Sequence, residues 1–177
     1  MKRILLFTIM LGILVTMVTG VYATTILYDL SISNIGGNRW EYTYSVTNDS
    51  MSSAIEEFTI YFNLGLYDNL TVSNTPADWN AIAINPDPAI IADGFYDALA
   101  LAAGIAPGAT VSDFSVSFDW LVAGIPGSQF FEVVDPSTFD VLDSGNTAPV
   151  PEPGTLLLLG SGLIALIGMG KRLLTVS

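Results

Sequence analysis

Apolar and polar residues alternate singly through most of the middle of the chain. Trp40, Tyr42, Tyr44 and Val46 alternate with Glu41, Thr43, Ser45 and Thr47, and Phe114, Val116, Phe118 and Trp120 with Ser115, Ser117 and Asp119. Tyr28, Leu30 and Ile32 interleave with Asp29, Ser31 and Ser33, and Phe58, Ile60, Phe62 and Leu64 occupy one side of a fourth segment. Successive side chains of a strand point to opposite faces, so this period predicts strands with one buried and one wet face. Shorter strands are predicted over 70–73, 81–84, 96–102, 130–134 and 139–142. No stretch of this region carries a sustained helical stripe.

The joints fit the same reading. Gly36-Gly37-Asn38 offers the positive φ angles that tight hairpins need. Ala106-Pro107-Gly108-Ala109 fits a type II turn, with proline and glycine at the two central positions. Residues 48–53 read as a polar loop. Alternating strands with turns at short intervals predict an all-β fold, an antiparallel β-sandwich over residues 24–143. Residues 144–149, small and mostly polar, read as a tether.

Both ends break the alternation. Lys2 and Arg3 precede an apolar run over 4–18, and Val21-Tyr22-Ala23 is a small-x-small cleavage signal. That layout predicts a signal peptide over 1–23, cut after Ala23. Residues 154–170 hold no charge. As a helix these 17 residues would cover roughly 25 Å, at the short end of what spans a bilayer. A single transmembrane helix is therefore expected there, with Lys171 and Arg172 as stop-transfer cations holding the C-terminus in the cytoplasm. Just before it, Pro151-Glu152-Pro153 forms a stiff extended stalk, because each proline fixes its own φ and restricts the residue before it.

Charge narrows the function. All 17 acids lie between Asp29 and Glu152, where Arg39 is the one base, so that stretch carries a side-chain charge of −16. It would repel phosphate backbones, which excludes nucleic acid as a partner. The chain has no cysteine and no histidine, and its lysines are Lys2 and Lys171. A serine in the body therefore lacks its usual activating base, and the reading is non-enzymatic. Asp87, Asp93 and Asp97 fall in one loop-rich region. They are either hard-oxygen ligands for calcium or solvated turn acids. Trp79, in the turn-rich "PADWNA", is the candidate for an exposed sugar-stacking ring, as in a carbohydrate-binding module. Asn48-Asp49-Ser50 and Asn69-Leu70-Thr71 match the glycosylation sequon.

The order of parts from Val150 to Arg172 (Pro-Glu-Pro, a glycine- and leucine-rich span, a basic pair) resembles the PEP-CTERM protein-sorting signal. The tail from Leu173 to Ser177 is longer and more apolar than the usual basic ending. The resemblance implies export by a Gram-negative bacterium that makes extracellular polysaccharide. It also implies an exosortase, a membrane cysteine protease-transpeptidase, as the partner that cuts near Pro151, Glu152 and Pro153. The middle is similar to the small β-sandwich ectodomains found ahead of this tail, through "YTYSVTN", Trp79 and "IAPGATVSDFSVSF". The expectation is an exported surface or matrix protein, transiently held in the membrane. The alternatives are a carbohydrate-binding module in the exopolysaccharide matrix and a permanently anchored periplasmic protein.

Overall fold

A computed structural model describes residues 24–29 and 34–150. The expected signal peptide and the Pro-Glu-Pro, helix and cation segments lie outside these residues. Among the described residues eleven strands follow one another: β1 (Thr25–Asp29), β2 (Asn34–Gly36), β3 (Arg39–Thr47), β4 (Glu57–Phe62), β5 (Tyr67–Asn74), β6 (Trp79–Ile84), β7 (Gly94–Ala100), β8 (Thr110–Trp120), β9 (Phe130–Val134), β10 (Val141–Asn146) and β11 (Ala148–Pro149). They form two sheets. The first runs β11-β1-β3-β8-β5, with β2 also paired to β3, and the second runs β10-β9-β4-β7-β6. All pairs are antiparallel except β1 with β11, which is parallel. Among the described residues no helix is long and apolar enough to cross a membrane.

The alternation places the core as predicted. Tyr42, Tyr44 and Val46 of β3 and Phe114, Val116 and Phe118 of β8 are buried from one sheet. Phe58, Ile60 and Phe62 of β4, Tyr96 of β7 and Phe131 of β9 are buried from the other. The inner faces meet through edge-on and tilted rings: Phe58 lies 5.0 Å from Phe114 at 90°, and Phe62 lies 5.5 Å from Phe118. Each such ring contributes about 1.5–3 kcal/mol by leaving water, plus about 0.5–1.5 kcal/mol from ring geometry.

The predicted turn at Ala106–Ala109 is present. Ala109 N–H donates to the Ala106 carbonyl at 2.9 Å, and Gly108 has φ +75°. Gly104 answers to space instead: a Cβ there would collide with the Ile55 carbonyl oxygen. The serines on the expected wet side of β8 are better covered than alternation implies. Ser115 and Ser117 are buried, because Thr43 shares a hydrogen bond with Ser115 at 2.9 Å and the Arg39 guanidinium donates to Ser117 at 2.6 Å.

Two expectations are corrected, and a third gains an anchor. The tether over 144–149 is strand: residues 144–146 complete β10, and Ala148–Pro149 form β11 beside β1. The chain crosses between the sheets at buried Thr147, whose N–H donates to the Gln129 carbonyl at 2.8 Å. Small residues suit a crossover as well as a tether, which is why composition misleads here. The strand expected from Phe139 begins at Val141. Asp135 accepts from the Ser137 and Thr138 amides, and that turn leaves Phe139 at φ +61°. The loop over 48–53 is polar but anchored. Asn48 is 1% exposed, and its amide donates to the Ser53 and Ile105 carbonyls at 2.8 and 2.9 Å. A buried asparagine already bonded through its side chain is no acceptor for a glycan in the folded domain.

Candidate functional site

The outer face of the second sheet gathers the side chains suited to recognition. Register sets Ile82, Asp97, Thr59, Glu132 and Ser144 in one row across five strands. Beside it run Ile84, Phe95 and Tyr61, in register with one another. The Tyr61 ring stacks on exposed Phe130, with centroids 5.8 Å apart and planes at 29°. An aromatic pair thus borders two carboxylates on a sheet face whose strands β4 and β7 bury their opposite face in the core.

Hydroxyl groups fix both carboxylates. Thr59 Oγ1 donates to Asp97 Oδ1 at 2.7 Å, and Tyr61 Oη donates to Glu132 Oε2 at 2.8 Å. Glu57 lies on the same face, one row away. Burial, then the Asp97 charge, pushes the Glu57 carboxyl above its ordinary range. Burial likewise raises Asp97, against hydrogen bonds from Thr59 and Glu57 that favour its charged form. The Tyr61 hydroxyl is pushed up to about 12, first by burial, then by its bond to Glu132 and the charge there. The face therefore presents carboxylates fixed by hydroxyl donors beside an apolar ring pair.

The raised carboxyls make a stability prediction. A carboxyl whose folded pKa exceeds its unfolded value stabilises the fold below about pH 4, and that contribution is lost as pH rises through the folded pKa. Glu57→Gln keeps a donor towards Asp97 without the second charge. Relative to wild type, the variant should gain about 1–3 °C in Tm between pH 4 and pH 7. Thermal unfolding across that range is the measurement, and a pH-independent gap would refute the coupling.

Trp79, expected to be exposed, is 8% exposed. It opens β6 with its ring 5.0 Å from Phe114 and 5.9 Å from Phe58, so it is core and presents no stacking surface. "PADWNA" misleads because its turn residues end one position before an inward-facing strand position. Asp87 lies beyond β6, where its carboxylate accepts from the Ala89 amide at 2.8 Å. Asp93 accepts from the Leu64 amide at 2.7 Å, and Asp97 belongs to the sheet face just described. Each of the three thus has its own local partner. Among the described residues no group of three acids is arranged to hold a metal ion.

Neither Tyr61 nor Phe130 is a candidate from the sequence pattern, and Glu132 reads only as an acid on the opposite side of its strand from Asp135. The signal lies in the doublets Tyr61-Phe62 and Phe130-Phe131. A strand buried on one face has no need of an aromatic at its wet position, so a second adjacent ring marks a strand that uses both faces.

The two chain ends of the domain meet in the first sheet. Leu27 pairs with Ala148 and Tyr28 with Pro149, and the Val150 amide donates to the Tyr28 carbonyl at 2.9 Å. Residues 149–172 match the family model of the PEP-CTERM protein-sorting motif. The match thus begins within β11, and the chain carries this motif directly against its sandwich. No curated protein matches the chain. Among solved structures it is similar to an uncharacterized protein from Nocardia farcinica with an immunoglobulin-like fold (TM-score 0.47, 17% identity, 70% of this chain and 98% of that one). It is also similar to a cohesin module from a Clostridium perfringens family 33 glycoside hydrolase (TM-score 0.44, 8% identity, 72% and 97%).

Proposed function

We propose that this chain is an exported, non-enzymatic β-sandwich. In this reading its C-terminal tail holds it briefly in the inner membrane, and an exosortase then delivers it to the cell surface or extracellular matrix by cutting near Pro151, Glu152 and Pro153. The observation that carries the reading is the sorting motif at residues 149–172, beginning in the last strand of the folded domain. The domain therefore reaches the processing site complete, with nothing left to fold after the tail is cut. Intact mass of protein recovered from culture medium tests this. The expected species begins at Thr24 and lacks residues 160–177, and a species retaining the tail would make the chain a permanent anchor.

A second reading, that the sandwich binds matrix polysaccharide, is favoured by the Tyr61–Phe130 pair beside Asp97 and Glu132. Sugar rings stack on aromatic faces, and their hydroxyls donate to fixed carboxylates. Binding would thus sit on the outer face of the second sheet, not at Trp79. On an array of bacterial polysaccharides, saturable binding should be weakened at least tenfold by Tyr61→Ala, with the circular dichroism spectrum unchanged. Equal binding by both proteins would remove the face from consideration.

A further inference from the structure

Thr24, the residue after the expected cleavage point, is buried, and its backbone nitrogen donates to Asp143 Oδ2 at 3.2 Å. Asp143 reaches it from a strand over a hundred residues later. A bulge in β10 puts it there: Val141 pairs with Val134 and Asp143 with Val133, leaving Leu142 as the extra residue. Bulges re-aim side chains in this way. The same carboxylate oxygen accepts from Ser50 Oγ at 2.8 Å, and Ser50 Oγ lies 2.9 Å from Thr24 Oγ1. The Thr24 nitrogen is thus bonded to a carboxylate that the Ser50 hydroxyl holds in place, and that hydroxyl also meets the Thr24 side chain.

We propose that Asp143 is a built acceptor for the α-ammonium group created at Thr24 when residues 1–23 are removed, so that processing itself clamps β1 to the sandwich. The inference rests on cleavage after Ala23. In that hydrolysis the Ala23–Thr24 peptide bond breaks, water supplies the new Ala23 carboxyl and one proton to the Thr24 nitrogen, and the amine takes a second proton from solvent. An amide with one N–H becomes an ammonium with three donors and a full charge. A partly buried cation is stabilised by a fixed counter-charge, and the hydrogen bond becomes a charge-assisted one, roughly twice as strong. The clamp matters because β1 bridges β3 and β11, so securing it also secures the strand from which the sorting motif departs.

Hydrogen bonds from Thr24, Ser50 and Ser144 outweigh burial and hold the Asp143 carboxyl below its usual range. Nearby in the chain, Asp49 of the same loop as Ser50, and Asp140 ahead of β10, are exposed. The depressed carboxyl stabilises the fold above about pH 4, and that contribution is lost as pH falls through its folded value. The ammonium, raised by its partner, stabilises below about pH 8, and that contribution is lost as pH rises through its own folded value. The clamp is therefore complete between these limits.

The sequence supplies a clean probe, since between residues 24 and 170 there is no lysine. The pH profile of acetylation by acetic anhydride, read by peptide mass on the signal-processed chain, reports the α-amine alone. In wild type the midpoint should lie at least about one unit above the usual 7.7–8.0. In Asp143→Asn it should return to that range, while Ser50→Ala, which leaves the charge, keeps most of the rise. A wild-type midpoint at or below 8 overturns the clamp whatever the variants do. N-terminal sequencing of the same sample separates the two claims. A start other than Thr24 removes the cleavage reading and the clamp together, whereas a start at Thr24 with an ordinary midpoint removes the clamp alone.

Discussion

Replacing Pro151, Glu152 and Pro153 together by alanine is expected to stop release of the chain. The variant should accumulate in the membrane fraction at the mass of the signal-cleaved, tail-bearing form, while wild type appears outside the cell without its last residues. Two physical features set up this outcome. Lys171 and Arg172 follow the uncharged run over 154–170, and drawing each cation into the hydrocarbon costs about 2.5–3.5 kcal/mol even on the lower insertion scale. In the proposed reading passive escape is therefore slow, and release requires a cut. Proline at 151 and 153 disfavours helix in the tripeptide by its fixed φ, and an extended segment is a shape an enzyme cleft accepts with its backbone groups free. Alanine, the best helix former, would let helix propagate into that stretch. The sandwich adds a constraint. Because β11 ends at Pro149 and Val150 is still bonded to Tyr28, no spacer separates the folded body from the tripeptide. In the proposed reading the protease acts close to the surface of the domain, so loss of extended geometry would have no slack to compensate it. Release of the triple variant at the wild-type rate would reduce the tripeptide to a stalk.

The sandwich was legible because its inner faces are nearly pure in pattern. Tyr42, Tyr44 and Val46, with Phe114, Val116 and Phe118, read from the sequence and are all fully buried. What the alternation does not encode is pairing between distant segments. Nothing local in Ser144–Pro149 distinguishes a tether from a strand that closes both sheets, since the partner of Ala148 is Leu27. Trp79 failed for a related reason: turn residues before it describe the loop, whereas its burial is decided by Phe58 and Phe114 across the core. Asp97 reads as a possible ligand from its neighbours in sequence, yet its partner is Thr59 on the adjacent strand. The sorting tail was the most readable part, because each of its cues is local.

Gln129 left no trace in the sequence, and its replacement by leucine is expected to cost about 3–5 kcal/mol of stability, among the largest effects of any single side chain here. Its amide is buried at the centre of the sandwich and uses its whole hydrogen-bonding capacity. Nε2 donates to Tyr67 Oη at 3.0 Å and to the Gly127 carbonyl, while Oε1 accepts from Tyr44 Oη at 3.1 Å and from Thr147 Oγ1 at 3.0 Å. Those partners belong to β3, β5, the approach to β9 and the crossover between β10 and β11, so one side chain bolts both sheets to the point where the chain changes sheet. Burial, the largest cause, pushes the Tyr44 hydroxyl well above its ordinary range, so it stays neutral and able to donate. Leucine fills nearly the same volume and removes all four bonds, leaving two tyrosine hydroxyls without that partner in a dry interior. Each orphaned group costs about 1–3 kcal/mol, and a shared network loses less than the sum of its parts. Tyr44→Phe, which removes a single donor, should cost about 1–2 kcal/mol. Urea unfolding of the three proteins with a common m-value is the comparison. A Gln129→Leu loss no greater than that of Tyr44→Phe would mean that the amide is one bond among many and that the inner-face rings alone hold the crossover in place.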